Sequence, residues 1–414
     1  MTLIPVISNS GSYAGSGVKP SKNRERVSLQ VKKVSSWQEW ETLSLDWEQI
    51  LREAPGCTIF STPEWLGAWW KACGQAKQLV ALSISNAGGE VIGLAPLYLE
   101  GLKDRHPNGV RRLRMVGDGT EDSDNLELIF RSGHEAACSD ALLARLSSEV
   151  GWDVCELNTL NSDSNIARAM LFCLKERGWP TKLWKRPSSV VPLPDNWETY
   201  LHRLSLEHAS GIERYTRRLG RHYAVRISKC ALEEELLPSL EILFELHQRR
   251  WHSQGQPGSF AGPERRKFYY EMSRGFLRRG WLEFWLLELD GKHAAAQFAF
   301  RYGNTVYQLQ EGLDPQYYSD RAGIVLRAHI LKQLIAQGVR QYDFLGGIDA
   351  HKQSWGAQPG SYIDICFAKP LSRGSIYLLL RHGNRIAKEW LRPHIQDPIW
   401  RVLWQFSSRV LDRA

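Results

Sequence analysis

The segment Tyr318-Ser319-Asp320-Arg321-Ala322-Gly323-Ile324-Val325-Leu326 places a small-residue turn after a strand-like run and before a helix-like one. Backbone N–H groups at the positive end of a helix suit a phosphate or pyrophosphate, and Arg321 would add a charge-assisted contact. Gly323 can instead do no more than let the chain turn. Two further clusters carry charge. Asp122-Ser123-Asp124 ends the acidic run that begins at Gly117, and could receive a cation, an amino group or a sugar, or be a solvated loop. Arg249-Arg250-Trp251-His252 closes a helical pattern. Arg250 and Trp251 are candidates for an acceptor or phosphate contact, although cations at a helix C-terminus also complement the backbone dipole. No His-x-x-x-His pair or Cys/His set has metal-ligand spacing, and no Gly-x-Ser-x-Gly elbow marks a serine hydrolase.

These residues need a scaffold, and the hydrophobic spacing supplies one twice. Val27, Leu29 and Val31 alternate with polar residues as in a strand, and Trp37, Trp40, Leu43 and Trp47 follow at helical spacing. Thr62-Pro63-Glu64 opens a further helix with an N-cap residue, a proline and an acid. A hairpin turning at Asn86-Ala87-Gly88-Gly89 comes next, then a strand over Leu126–Phe130, a helix near 135–149, a strand at 153–157 and a helix near 164–178. The second half repeats this order. Helices are expected near 233–252, with Pro238 able to delay the start, and near 263–279. Strands follow at 282–289, 294–301 and 305–310, the first two joined by Asp290-Gly291, then a helix over 323–337 and a strand over 341–345. The fold class is α+β, two domains of one architecture in tandem, each a central mixed, mostly antiparallel sheet flanked by helices. The tryptophans lie at helical spacings with other apolar residues, which suits core packing better than carbohydrate stacking.

Composition narrows the class. The chain has 414 residues, 43% hydrophobic and 24% charged, as in ordinary globular proteins. No run approaches the roughly 20 apolar residues of a membrane-spanning helix, and residues 1–26 lack the pattern of a secretory signal and read as a disordered tail. Seven scattered cysteines without a Cys-x-x-Cys point to reduced thiols in the cytoplasm. The formal charge of +8 comes from residues 1–26 and 371–414, so the middle is formally neutral. Basic ends suit an anionic membrane surface or a polyanion.

The stretch from Trp281 to Ala357 resembles the acetyltransferase domain of the GNAT superfamily, and within it the CelD-like group associated with cellulose and exopolysaccharide synthesis, itself similar to the Fem aminoacyltransferases. The likeness extends over about 245–357, and more weakly over 30–180 through FSTPEWLGAWW, VIGLAPLYL and SDNLELIF. It implies tandem GNAT-like domains: a tail at 1–26, an N-terminal domain at 27–187, a catalytic domain at 188–370 and a basic amphipathic helical extension at 371–414 with Ile399, Leu403, Phe406 and Val410 on one face. Arg321-Ala322-Gly323, with Ile324 after it, takes the place of the family's Ser-Pro-Gly before the cofactor helix, and so implies contact with acyl-coenzyme A. Tyr342-Asp343-Phe344-Leu345-Gly346-Gly347 matches the Phe-Asp-Phe-x-x-Gly strand end, and His351-Lys352 with Trp355-Gly356 matches Tyr-Lys and its aromatic-Gly. That match implies a part for Lys352 in acyl transfer, by stabilising the tetrahedral oxyanion as a cation or, if desolvated enough to lose its proton, by acting as a base. Glu311, at a strand end, would take the proton from the incoming amine. Substrate contacts are implied at Arg250, Trp251, Asp124, Asp343, Gly347 and Trp355. Asp343 sits between two aromatics, where it can also orient the glycine loop.

The expected function is an N-acyltransferase. It would move an acyl group from acyl-coenzyme A to an amino group of a sugar, a glycan precursor or an amino-acid derivative, with no tightly bound cofactor and no metal. The alternatives are a Fem-like transfer from aminoacyl-tRNA, which the neutral middle disfavours, and a non-catalytic scaffold. A cytoplasmic protein is expected, with peripheral contact at the inner membrane face through 371–414.

Overall fold

In the computed structural model, which describes residues 29–381 apart from 55, 101–108, 121 and 257, the two expected halves are both built. The tail at 1–26 and the apolar face Ile399–Val410 lie outside the described residues. The N-terminal half opens with β1 (Gln30–Val34), α1 (Trp37–Glu41), α2 (Ser44–Glu53) and α3 (Pro63–Cys73). The Thr62 side chain caps α3 by accepting from the Trp65 N–H, with Pro63 in the first turn. Short strands follow: β2 (Gln78–Leu79), β3 (Ala81–Ser85), β4 (Val91–Ala95), β5 (Leu97–Leu99), β6 (Arg112–Met115) and β7 (Ile129–Phe130). The expected strand over Leu126–Phe130 is paired only at its last two residues, because 116–128 form an irregular excursion. Then come α4 (Glu135–Ser148), β8 (Val154–Asn161), α5 (Asn165–Glu176) and β9 (Thr181–Pro192).

The C-terminal half begins with α6 (Trp197–Arg203), α7 (Leu206–His222) and β10 (Val225–Lys229). Next are α8 (Glu233–His252), α9 (Pro263–Arg278), β11 (Leu282–Leu289), β12 (Lys292–Tyr302) and β13 (Thr305–Leu313). Pro238 lies inside α8 and does not delay it. The helix starts at Glu233 because the Glu235 carboxylate accepts from the Ala231 and Leu232 N–H groups. The chain ends its described part with α10 (Ala322–Ala336), β14 (Gln341–Gly346), α11 (Ala350–Ser354), β15 (Gln358–Ala368) and a helix over 373–381.

Both halves cross over in the same way. β6 and β8 are parallel with α4 between them in sequence, and β13 and β14 are parallel with α10 between them. One sheet of eleven strands spans the molecule in the order β10-β11-β12-β13-β14-β9-β15-β8-β6-β5-β2, and a second holds β1-β3-β4-β7. The halves exchange their last strands at the seam. β9 pairs with β14 of the other half, and β15 pairs with β8. β9 therefore runs unbroken through 187–188. The core is also shared. Trp65 of α3 meets Phe268 of α9 edge-on at 5.1 Å and lies parallel to Phe276 at 6.2 Å. Such aromatic pairs add about 0.5–1.5 kcal/mol each beyond their burial. The two halves are thus fastened into one body, with a cleft where their sheets join.

Candidate active site

β13 and β14 are hydrogen-bonded only at Thr305–Tyr307 with Gln341–Asp343, after which they separate. The separated ends form one wall of a cleft of about 970 Å³. The excursion after β6 provides another wall, and residues of β9, β15 and α8 complete it. Among the residues lining it is Arg327, on the inward face of α10 and 1% exposed. Its guanidinium pairs with a Glu311 carboxylate oxygen at 2.5 Å and donates to His351 Nε2 at 2.6 Å. It lies 5.1 Å from the Phe344 ring centroid and 5.4 Å from that of Trp355. Burial alone would raise the Glu311 pKa. The charges of Arg327 and of Arg250, 3.8 Å away, overcome it and hold Glu311 below the usual carboxylate range. Burial and the Arg327 charge lower the His351 pKa. Its imidazole is therefore neutral, and the Arg327 donor to Nε2 assigns its proton to Nδ1.

Asp124 faces this group from the other half. One oxygen accepts from the Gly346 N–H at 2.8 Å, and burial raises its pKa despite that bond. Asp122 lies deeper, accepting from Arg265 at 2.5 Å and from the Tyr269 hydroxyl at 2.8 Å. Asp343 stands just behind the cleft. It accepts from the Leu345 N–H at 2.7 Å, and burial pushes its pKa to about 7. Trp251 lines the cleft with its ring half-exposed. Its indole N–H donates at 2.8 Å to His247, an imidazole that burial and the Arg265 charge push down to about 4.

Lys352, expected to face an oxyanion, points at the backbone in this structure. Its ammonium donates to the carbonyls of Phe344 at 3.0 Å, Gly346 at 2.5 Å and Gly347 at 3.2 Å. All three protons are directed at the backbone, so in this arrangement none is left for an oxyanion. Lys352 clips the end of β14 and the turn beyond it, where Leu345 has a φ of 61° and Gly347 one of 84°. Asp349 caps α11 and accepts from the Lys352 N–H at 2.8 Å, which sets the lysine's direction.

The expected residues therefore fall into three groups. Lys352, Glu311, Arg250, Trp251 and Asp124 line the cleft. Asp343, Gly347 and Trp355 support its wall. Trp355 is fully buried beneath Arg327, and the Gly347 carbonyl accepts from Ser189. Arg321, Ala322, Gly323 and Ile324 do not line it. They stand at the start of α10, three to six residues before Arg327, and α10 rises about 1.5 Å per residue. Arg321 is left-handed with a φ of 60° and gives the helix no side-chain cap. A Cβ on Gly323 would meet Leu313 at the end of β13, 3.7 Å away.

Sequence reasoning missed Arg327, although a signal existed: it is a charge amid the apolar face of Ala322, Val325, Leu326, Ile330 and Leu331. It also missed Arg186, which donates to Asp364 at 2.6 Å, and the cluster around Glu156. There Arg112, Arg114 and Arg381 stand 3.9, 3.7 and 2.9 Å from one carboxylate. Among the described residues no group of three or more His, Cys, Asp or Glu side chains could hold a metal. No described helix is long and apolar enough to cross a membrane.

The architecture has known counterparts. Residues 207–353 match the family model of the acetyltransferase (GNAT) domain. This match covers α7 to α11 and includes Glu311, Arg327, His351 and Lys352, so the C-terminal half carries a GNAT-type domain and the protein is an acyltransferase by class. The chain is similar in fold to FemX, at 12% identity over 82% of this chain and 97% of that one, with a TM-score of 0.59. It is also similar to a conserved protein of unknown function from Bacteroides thetaiotaomicron, at 11% identity over 83% of this chain and all of that one, with a TM-score of 0.50. Among curated proteins none matches in sequence.

Proposed function

We propose that the protein is an N-acyltransferase that acylates an amino group of a sugar, glycan precursor or amino-acid derivative, with acyl-coenzyme A as donor. The observation that carries this reading is the pair of carboxylates, Glu311 and Asp124, facing one cleft from opposite halves at the open ends of β13 and β14. Glu311, held ionised by two arginines, attracts the acceptor's ammonium. Asp124, the weaker acid, is the better proton acceptor once the amine is to attack. The nitrogen then forms a C–N bond to the acyl carbon, the C–S bond breaks, and the thiolate leaves with a proton. The uncapped start of α10 at Arg321–Ile324 suits the donor's phosphates, and Arg327 brings positive charge toward the developing oxyanion. Resemblance to the CelD-like group supports an acceptor in exopolysaccharide synthesis and a cytoplasmic site of action.

The test is release of free coenzyme A from acetyl-coenzyme A in the presence of amino sugars and amino-acid amides, followed across pH. Turnover should rise with pH through a pKa above the usual carboxylate range, and Asp124→Asn should remove that limb. Absence of acceptor-dependent thiol release, together with no thermal protection by coenzyme A, would overturn the reading. A second reading, transfer from aminoacyl-tRNA, is favoured by one feature: Arg214, Arg217, Arg218 and Arg221 are all exposed on α7. Salt-sensitive tRNA binding with no response to coenzyme A would select it.

A further inference from the structure

Around the open ends of β13 and β14 the donors that could meet a developing oxyanion are mostly taken. Lys352 gives its protons to the carbonyls of Phe344, Gly346 and Gly347. The Trp251 N–H goes to His247, and the Gly346 N–H to Asp124. Arg250 is drawn to the Glu311 carboxylate, 3.8 Å away. Arg327 is buried and sends one arm to Glu311 at 2.5 Å and the other to His351 at 2.6 Å, so its charge reaches the cleft through those two partners. His351 differs from the rest. It lines the cleft and is exposed, in the first turn of α11 beside the loop that follows β14. A guanidinium only donates, so Nε2 is the accepting nitrogen of the ring and Nδ1 carries the proton. Among the described residues that Nδ1–H has no hydrogen-bond acceptor. A donor fixed in direction, open to the cleft and left unpaired by the protein is available to a substrate.

Resting on the acyltransferase reading of this cleft, we propose that His351 is a catalytic residue whose neutral ring donates from Nδ1–H to the oxygen of the acyl carbonyl, with Arg327 holding the ring in the tautomer this needs. As the acceptor nitrogen bonds to the acyl carbon, the carbonyl electron pair moves onto oxygen. The hydrogen bond from Nδ1 strengthens at that moment, and the proton stays on the ring. The pair then re-forms the carbonyl and the C–S bond breaks. The amine's proton goes to Asp124, the thiolate leaves with a proton in turn, and His351 ends as it began. A neutral ring suits this position better than a cation. An imidazolium has no lone pair on Nε2 and would set two positive groups against each other at 2.6 Å. The charged groups facing the ring are Arg327 from α10, Glu311 from β13, Arg250 from α8 and Asp349 from its own helix. Burial and the Arg327 charge lower its pKa, so the ring is neutral at ordinary pH and adds no limb to the pH profile.

The experiment follows coenzyme A release by the full chain from acetyl-coenzyme A, with whichever amino sugar or amino-acid amide the parent acylates. His351→Phe keeps a ring of similar size without a donor. It should lower kcat by about 10²–10³-fold, the cost of losing one oxyanion donor, with both KM values within about threefold of the parent. The loss should be the same at every pH between about 6 and 9, because a ring that does not titrate there is being removed. His351→Gln can accept from Arg327 through its carbonyl and donate through its amide, and should recover part of the loss. The tautomer is read without turnover. Nitrogen NMR of the histidine-labelled parent, with the resonance assigned as the one missing from the His351→Gln spectrum, should show Nδ1 protonated and Nε2 bare. A ring protonated at Nε2 overturns the proposal whatever the variants do. So does a His351→Phe variant that turns over like the parent, or one whose lost kcat only follows a loss of folded protein by circular dichroism. A parent that releases no coenzyme A with any acceptor overturns the acyltransferase reading and this proposal with it, whereas parent activity that survives in His351→Phe overturns this proposal alone.

Discussion

The two halves share one plan but diverge where the crossover strands part. In the C-terminal half β13 runs unbroken from Thr305 to Leu313, and α10 turns Arg327 inward onto Glu311. In the N-terminal half the corresponding path is interrupted. β6 ends at Met115, the chain then leaves its sheet, and β7 at Ile129–Phe130 pairs with β4 in the second sheet. The residues α4 buries, Cys138, Ser139, Leu142, Leu143 and Leu146, include no cation. The excursion instead sends Asp122 and Asp124 into the other half's cleft. The C-terminal half carries its buried charge on the crossover helix, whereas the N-terminal half carries it on β6 and β8, where Arg112 and Arg114 stand by Glu156, and sends its excursion to complete the shared wall.

The sharpest way to break this comparison is to neutralise the centre. Glu311→Gln removes the carboxylate that holds the acceptor's ammonium in place and is expected to lower turnover by about 10²-fold, the scale of a misplaced reactant, with the fold retained. Steady-state kinetics and circular dichroism check it. If activity survives, the charged centre is not where transfer occurs. Arg327→Met should come next. It leaves the Glu311 carboxylate facing only Arg250 at 3.8 Å, and unpairing a buried charge costs about 3 kcal/mol or more. Urea unfolding should show that loss, and adding Glu311→Gln should recover part of the stability but none of the activity.

Much of this was legible in the sequence, for reasons that can be named. The repeated order of helices, hairpin and crossover follows from local spacing, and Thr62-Pro63 and Asp290-Gly291 act where they stand. β9 and β15 were not legible. β9 reads TKLWKRPSSVVP, polar and interrupted by proline, and becomes a strand only because β14 and β15 flank it. The cleft residues on single elements, Glu311 and Lys352, could be picked out. Their relations could not, since Arg327 to His351 spans 24 residues and Asp124 to Gly346 spans 222. Lys352 illustrates the gap: its motif identified the residue, but only the backbone path of Phe344–Gly347 shows where its protons go.

That path yields a smaller test. Lys352→Met leaves three carbonyls without a charged donor. It should cost about 1–2 kcal/mol of stability, some of the loss being offset by water. A clip predicts falls in thermal midpoint and turnover together. An oxyanion role predicts a fall in kcat with the midpoint unmoved. The halves can also be compared through one buried carboxyl each. Burial raises Asp343 to about 7 and Glu127 to about 8. Each folded state binds a proton that the unfolded chain has released, so stability is highest at the acid end and falls as pH rises through those values. Each group's slope is at most about 1.4 kcal/mol per pH unit. Asp343→Asn should remove the fall that ends near pH 7, and Glu127→Gln the one that ends near pH 8. Denaturant midpoints between pH 5 and 9 (about the range where most proteins stay folded) separate them.

The smallest expected effect concerns Trp251, the half-exposed aromatic at the cleft. Trp251→Phe keeps an apolar ring but removes the N–H that donates to His247, a loss of about 1 kcal/mol or less. His247 is already neutral, so its own protonation should not change and the pH profile of turnover should stay as in the parent. Trp251→Ala removes the ring as well. If the ring contacts the acceptor, KM for the acceptor should rise in the alanine variant and not in the phenylalanine one, with kcat similar in all three. Equal KM values would assign Trp251 to the support of α8 alone, and would leave the acceptor to be held by the charges of the C-terminal half and of the excursion that faces it.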